Sequence, residues 1–188
     1  MKRRATVIIC LLLVFSFALY SIFAIDVIKK RLYPREFAEY VEKYSGEFDV
    51  PQELVYAVIY CESSFDPKVK SSVGAVGLMQ LMPMTMDWLS RLMGEDEPTG
   101  IITDPETNIK YGTYYLSYLY KKFSSWETAL AAYNAGHGRV MEWLENSEYS
   151  DDGITLKKIP YKETENYVNR VTDVKNEYYS LYFENGDK

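Results

Sequence analysis

Cysteine and histidine are almost missing from this chain. Cys10 and Cys61 are its only cysteines and His137 its only histidine in 188 residues. Two cysteines make no disulfide framework. No group of His, Cys and carboxylate residues has the number and spacing of a zinc site, so no metal and no cofactor is expected. No alternating apolar and polar run marks a β-strand. Basic charge is scarce after the first 33 residues. That segment holds six of the 21 Lys and Arg and one of the 27 Asp and Glu, leaving 15 basic and 26 acidic residues, a net of −11, in residues 34–188. Such a surface repels nucleic-acid phosphates. It suits an uncharged or mixed-charge partner. With 47% hydrophobic and 26% charged residues the chain is too apolar for disorder. Its length suits one domain of roughly 150 residues.

One apolar run is long. Met1-Lys2-Arg3-Arg4 precedes Val7 to Ile25, which carries no charge. As a helix that run reaches ~28 Å, close to one bilayer hydrocarbon core. Asp26, Lys29, Lys30 and Arg31 mark its far end. A cleavable signal peptide has a shorter apolar region and a small-x-small cleavage site. Ile22-Phe23-Ala24 is a poor one, and Cys10 lies too early to be a lipoprotein cysteine. The run reads as an uncleaved signal anchor, a single transmembrane helix, with a cleaved signal peptide and secretion as the alternative. Basic residues flank it on both sides, so charge alone does not orient it. The division expected is a basic tip, anchor (about 7–25) and short linker in residues 1–33, then one globular domain in residues 34–188.

That domain reads as all-α. Pro34 to Tyr44 places Phe37, Tyr40, Val41 and Tyr44 at helical spacing. Pro51 opens a second helix with Leu54, Val55, Val58 and Ile59. Ser63 to Gly77 is a Ser, Pro and Gly-rich loop. Leu78 to Leu92 follows as a helix with an uneven start at Pro83, then a loop from Gly94 to Thr103. Asp104-Pro105-Glu106 begins a long helix to about Phe123, with acids at its positive end. Trp126 to Ala135 is a short Ala-rich helix stopped by Gly136, Val140 to Leu144 continues briefly, and Lys162 to Phe183 is the last helix. The tyrosines on these segments are read first as core packing with a hydroxyl reaching outward.

Glu62 ends the helix from Pro51. Val55, Val58 and Ile59 precede it by seven, four and three residues, which puts the carboxyl on their face. Desolvation there disfavours the ionised form and raises the pKa. A carboxylic acid that keeps its proton near neutral pH can protonate a leaving-group oxygen. On that pattern alone, a Glu pairing or capping near a helix end is the commoner case. Gly74 and Gly77 allow tight turns that bring the following chain back toward this helix.

Four stretches in order then resemble a known family. They are Glu62-Ser63-Ser64-Phe65-Asp66-Pro67, Gly74 to Pro83 (Gly-Ala-Val-Gly-Leu-Met-Gln-Leu-Met-Pro), Ala131-Ala132-Tyr133-Asn134-Ala135-Gly136, and Ile159 to Val168 (Ile-Pro-Tyr-Lys-Glu-Thr-Glu-Asn-Tyr-Val). The chain resembles the lytic transglycosylases of the soluble-lytic-transglycosylase type over roughly residues 46–183. The resemblance implies a lysozyme-like fold. It implies cleavage of the β-1,4 bond between N-acetylmuramic acid and N-acetylglucosamine in peptidoglycan, without a cofactor. It further implies that Glu62 is the single catalytic acid/base, that Ser71, Gln80 and Met82 line the glycan cleft, that Tyr133 and Asn134 face the catalytic acid, and that Glu163 lies beside the cleft.

Ordinary glycosidases use two carboxylates. Here no second one is obvious. Asp66 precedes Pro67 and is read as a loop organiser. The family's route removes the need: one Glu protonates the glycosidic oxygen and then takes the proton of the muramic acid C6 hydroxyl as a 1,6-anhydro ring closes. Tyr133 is expected to hydrogen-bond the carboxyl or a substrate acetamido group. His137 is read as a helix-start or surface residue, and Cys61 as a small buried filler. Peptidoglycan lies outside the cytoplasmic membrane, so the domain is expected outside and Met1–Arg4 inside. Two rival readings stand beside this one: a hydrolytic muramidase, and a non-catalytic wall-binding or scaffold module.

Overall fold

The computed structural model describes the backbone of residues 2–95, 98 and 100–184, and side chains from Leu11 onward except at the omitted positions. The basic tip Met1–Arg4 and the Cys10 thiol lie outside the described side chains, as do parts of the 94–103 loop. Among the described residues eight helices run in the order α1 (Lys2–Leu32), α2 (Ala38–Phe48), α3 (Gln52–Ser63), α4 (Pro83–Leu92), α5 (Pro105–Phe123), α6 (Trp126–Ala135), α7 (His137–Leu144) and α8 (Lys162–Tyr182). Among the described residues there is no strand beyond two isolated bridges, Lys70 with Val76 and Val76 with Leu81.

Local chemistry sets most boundaries. The Asp104 carboxylate accepts the Thr107 N–H at 2.9 Å, Pro105 needs no donor at the first position, and Lys121 and Lys122 close α5 at its negative end. Ser125 caps α6 in the same way through Thr128 N–H. His137 is the first residue of α7, with Gly136 before it at φ +90°.

Three elements depart from the sequence reading. α1 does not end with the apolar run at Ile25 but continues through Asp26 to Leu32, so the segment read as a linker is helical. α2 begins at Ala38 rather than Pro34, because Phe37 sits in the left-handed region at φ 57°, and it runs past Gly46 to Phe48. α4 begins at Pro83 rather than Leu78. Gln80 lies at φ 49°, which no α-helix accepts, and the backbone groups of residues 76–81 bond elsewhere. Leu78, Met79 and Leu81 are buried in a tight loop with Gln80 half-buried between them, not as a helix face.

The core is built around α3. Leu54, Val55, Tyr56, Ala57, Val58 and Ile59 are all buried, so this helix is apolar on every side, as a central helix must be. α8 packs along one side of it through Val168, Val171, Val174 and Tyr178. α5 and α6 pack against each other, and α6 also touches α8. Gly112 on α5 lets the Met79 loop approach closely: a Cβ there would lie 2.9 Å from Met79 Cβ. Apart from its C-terminal end, α1 stands away from this body. Leu12, Phe15, Phe17 and Ile22 are more than 60% exposed, as side chains meant for lipid would be. Residues Leu11–Leu32 form a helix long and apolar enough to cross a membrane.

Candidate active site

The site forms where α3 ends. Ser64 and Phe65 both take positive φ, at 49° and 66°, and turn the chain sharply after Glu62. The Ser63 hydroxyl reaches the Leu78 carbonyl at 2.8 Å and ties the 70–82 loop to α3. That loop is held by side chains rather than by a backbone ladder. Asn108, fully buried on α5, accepts the Met79 N–H at 2.7 Å and donates to the carbonyls of Val76 at 3.0 Å and Ile102 at 2.7 Å. The Gln80 amide donates to the carbonyls of Val69 at 3.1 Å and Gly77 at 2.9 Å. The Tyr133 hydroxyl donates to the Met79 carbonyl at 2.8 Å. Helices α3, α5 and α6 thus each contribute one side chain to the loop's placement.

Glu62 sits in this frame as a largely desolvated carboxyl. Burial pushes its pKa from 4.5 up to about 7; the nearby Tyr167 hydroxyl and the Arg170 guanidinium pull the other way and lose. Both come from α8. Tyr167 is the counterpart of Tyr133: each hydroxyl is buried beside Glu62, and each is pushed well above the usual tyrosine range, first by burial and next by the carboxylate's charge. They differ in their partners. Tyr133 spends its proton on Met79, whereas the Tyr167 oxygen faces Glu62 and has no partner in regular hydrogen-bond geometry among the described residues. A buried donor without a partner is costly. A small rotation of Glu62, or the arrival of a substrate oxygen, would satisfy it.

A cleft of about 270 Å³ is lined by Gln80, Leu81, Met82, Thr85, Tyr115, Tyr133, Asn134, Ala135 and Gly136; Glu62 is not part of its lining, and Tyr133, which feels the Glu62 charge, links the two. The residues picked from sequence fall into two groups. Gln80, Met82, Tyr133 and Asn134 are brought together along the cleft wall. Ser71 is not on that wall: its hydroxyl accepts the Ala75 N–H at 3.0 Å and closes the 71–75 turn. Glu163 is exposed on the first turn of α8, four residues before Tyr167 and so on the same helix face. Two expected bonds differ in detail. The Gln80 amide protons are both taken within the loop, which leaves its Oε1 as the group open to a sugar. The Tyr133 hydroxyl proton is bonded to Met79, not to Glu62. Asp66 bonds the Lys68 N–H at 2.9 Å, as a loop organiser does. His137 stacks on Trp88 at 5.4 Å, and burial lowers its pKa. Cys61 is half-buried, its thiol pushed up to about 11, first by burial and then, against Arg170, by the charge of Glu62.

Sequence reading missed Tyr167, Arg170 and Asn108 as parts of the site. Tyr167 carried a signal, since it lies within the last of the four quoted stretches and one helical turn after Glu163. Asn108 carried none, because nothing near it in sequence marks a contact with residues 76–79. Among the described residues no group of three or more His, Cys, Asp or Glu is placed to hold a metal ion.

The comparisons agree with the architecture. The family model for the transglycosylase SLT domain matches residues 39–155. The chain is 41% identical over 144 residues to the soluble lytic murein transglycosylase of Escherichia coli K12, covering 74% of this chain and 22% of that protein. It is 25% identical over 170 residues to the membrane-bound lytic murein transglycosylase C of Haemophilus ducreyi, covering 78% and 46%. The crystal structure of the 70 kDa soluble lytic transglycosylase of E. coli superposes with a TM-score of 0.71 at 35% identity, over 85% of this chain and 26% of that one. The chain spans about a fifth of the length of the first curated relatives it matches. With an all-helical, lysozyme-like body in common and a family model that spans α2 to the loop before α8, this chain belongs to the transglycosylase SLT domain family.

Proposed function

We propose that the protein is a peptidoglycan lytic transglycosylase in which Glu62 is the only general acid/base. The observation that carries this is a carboxyl whose pKa is pushed up to about 7 and whose charge is felt by Tyr133 on a cleft wall, with no second carboxylate among the groups that shift it. A group that must give and then take a proton works best with a pKa near the working pH. Protonated Glu62 gives its proton to the glycosidic oxygen as the C1–O bond breaks. The substrate's own acetamido oxygen supports the positive charge at C1. Ionised Glu62 then takes the C6 hydroxyl proton, O6 bonds to C1, and the 1,6-anhydro ring closes. Glu62 ends protonated and no water is consumed. Tyr167 and Arg170 stabilise the ionised stage between the two transfers. Gln80, Met82, Tyr133 and Asn134 hold the sugars, Ser71 shapes the turn beside them, and Glu163 lies at the α8 side.

The N-terminal helix supports a membrane-anchored reading. Residues 1–33 hold the protein in the cytoplasmic membrane as a single span with the tip inside, and residues 34–188 work on the wall outside. The partners are glycan strands and the lipid bilayer. Mass spectrometry of digested sacculi tests the chemistry: new ends one water lighter than reducing ends are expected. Ordinary reducing ends would mark a hydrolytic muramidase, and intact binding without new ends would mark a wall-binding module.

Tyr167→Phe gives a separate check. Its hydroxyl favours the ionised form of Glu62, so removing it raises the Glu62 pKa further. The pH–rate profile, which falls as Glu62 loses its proton above about pH 7, is expected to move its falling limb to higher pH. The maximal rate should drop about 10-fold or more, because the carboxylate loses a hydrogen-bond donor midway through the cycle. An unchanged limb would remove Tyr167 from the site.

A further inference from the structure

The end of α1 is built into the globular body. Lys29 Nζ meets Glu177 Oε2 at 2.7 Å. The Tyr182 hydroxyl donates to the Tyr33 carbonyl at 2.8 Å and lies 3.4 Å from the Lys30 carbonyl. The Tyr178 hydroxyl donates to the Pro34 carbonyl at 2.8 Å. The last carbonyls of a helix lack intrahelical donors, and α8 reaches one of them, Lys30, and the two carbonyls just past the helix end, Tyr33 and Pro34. Rings complete the joint. Tyr33 packs 5.3 Å from Tyr60 of α3 and edge-on to Tyr178 at 5.7 Å. Tyr178 stacks on Tyr56 at 5.3 Å, and the Arg35 guanidinium lies over Tyr182 at 5.2 Å and Phe183 at 5.7 Å. Tyr60 stands two residues before Glu62, so the contact reaches the helix that carries the acid.

We propose that this seam is a rigid joint that seats the globular body directly on the lipid headgroup layer, with the cleft held at one height and tilt above the membrane. The proposal rests on α1 being the membrane anchor. The apolar run ends at Ile25; Lys29 lies ~6 Å and Tyr33 ~12 Å further along a helix. The headgroup region is about 5–7 Å deep on each side. Lys29-Lys30-Arg31 therefore start at headgroup depth, where Lys and Arg are favoured, and the seam sits at the outer face of that layer. Only residues 33–37 separate α1 from α2, and the Tyr33 and Pro34 carbonyls are bonded to α8, so this link lacks the slack of a Gly/Ser linker. Electrostatics work against close seating, since residues 34–188 carry a net of −11 and anionic lipid repels them. Specific contacts have to hold the body down. The substrate is then the stretch of glycan strand that passes at one distance from the membrane, not any strand within reach of a flexible tether.

The test uses the full chain in anionic lipid vesicles, with a dye on Ser72→Cys in a Cys10→Ser, Cys61→Ala background. Time-resolved energy transfer to a lipid-surface dye reads the distance. One narrow distance is expected, the same at low and high salt. Glu177→Lys should broaden it and shift it outward at low salt, and adding Lys29→Glu should restore it. A short Gly-Ser insertion between Leu32 and Tyr33 leaves the body's own packing intact and should broaden it equally. A broad distance in the parent, or an insertion variant as narrow as the parent, overturns the joint. Failure to float with vesicles overturns the anchor reading itself; floating with broad distances overturns the joint alone.

Discussion

Glu62→Gln will lose about 10³–10⁴-fold in glycan cleavage, the upper part of what a general acid contributes, because the same carboxyl serves both proton transfers. The same variant will be more stable than the parent at neutral pH. The Glu62 pKa stands at about 7 in the folded protein against 4.5 for an ordinary glutamate, chiefly through desolvation. The folded state therefore binds this proton more tightly than the unfolded chain does. Between those two values the unfolded chain gives up its proton while the folded one keeps it, so stability falls as pH rises through the window. Above pH 7 the folded protein carries an ionised carboxylate in a nearly dry site. At about 1.4 kcal/mol per tenfold in proton affinity, that state costs up to about 3 kcal/mol. Glutamine has the same shape and no charge to desolvate. The stability difference between variant and parent should be small below pH 4.5, grow between pH 4.5 and 7, and level off above. Thermal melts across that range, beside a sacculus-digestion assay, measure both effects. Undiminished lysis would remove Glu62 from the chemistry. A pH-independent stability difference would mean that the carboxyl is not desolvated.

Asn108→Leu will cost on the order of 3–6 kcal/mol, a large share of a stability of about 5–15 kcal/mol. Leucine keeps most of the volume and deletes three hydrogen bonds at once. The Met79 N–H and the Ile102 carbonyl then lose these partners, and the Val76 carbonyl keeps only the Leu81 N–H. Desolvated backbone groups are what make this expensive, not the loss of packing. Gly77→Ala tests the same contact from the other side. Gly77 sits at φ +84°, and a Cβ there would overlap the Asn108 amide, with Asn108 Cγ at 2.8 Å and the Ile102 carbonyl at 3.0 Å. Neither neighbour can yield without giving up a hydrogen bond. Urea titrations should show a lower midpoint with an unchanged slope. Activity should fall further than stability alone accounts for, because Met79 positions Tyr133 through its carbonyl. A cost below about 1 kcal/mol for Asn108→Leu would mean that the loop finds other donors.

The limits of periodicity show in Leu78 to Leu81. Three residues of core composition, Leu78, Met79 and Leu81, stand next to a helix and suggest its first turn. The chain instead buries these three in a loop, because Asn108, Ser63 and Tyr133 satisfy backbone groups that a helix would have satisfied itself. Those donors and acceptors lie 29, 15 and 54 residues away, beyond any local pattern. The desolvation of Glu62 was read correctly in direction and from too little structure. One apolar helix face was invoked, whereas α3 is buried on all sides and α8 adds Tyr167 and Arg170.

The residues alone determined the helical class, the Asp104-Pro105-Glu106 start of α5, the Gly136 stop of α6, the long apolar run at the N-terminus, and the four stretches that mark the family. Each of these is written in spacing, in capping chemistry or in a contiguous run, and needs no distant partner. Tertiary structure decided which tyrosine hydroxyl bonds Met79 and which faces Glu62, how far the Glu62 pKa rises, and that the end of α1 is joined to α8 rather than free. Dehydration, buried hydrogen bonds and ring contacts depend on atoms brought together from far along the chain, and a linear pattern records none of them.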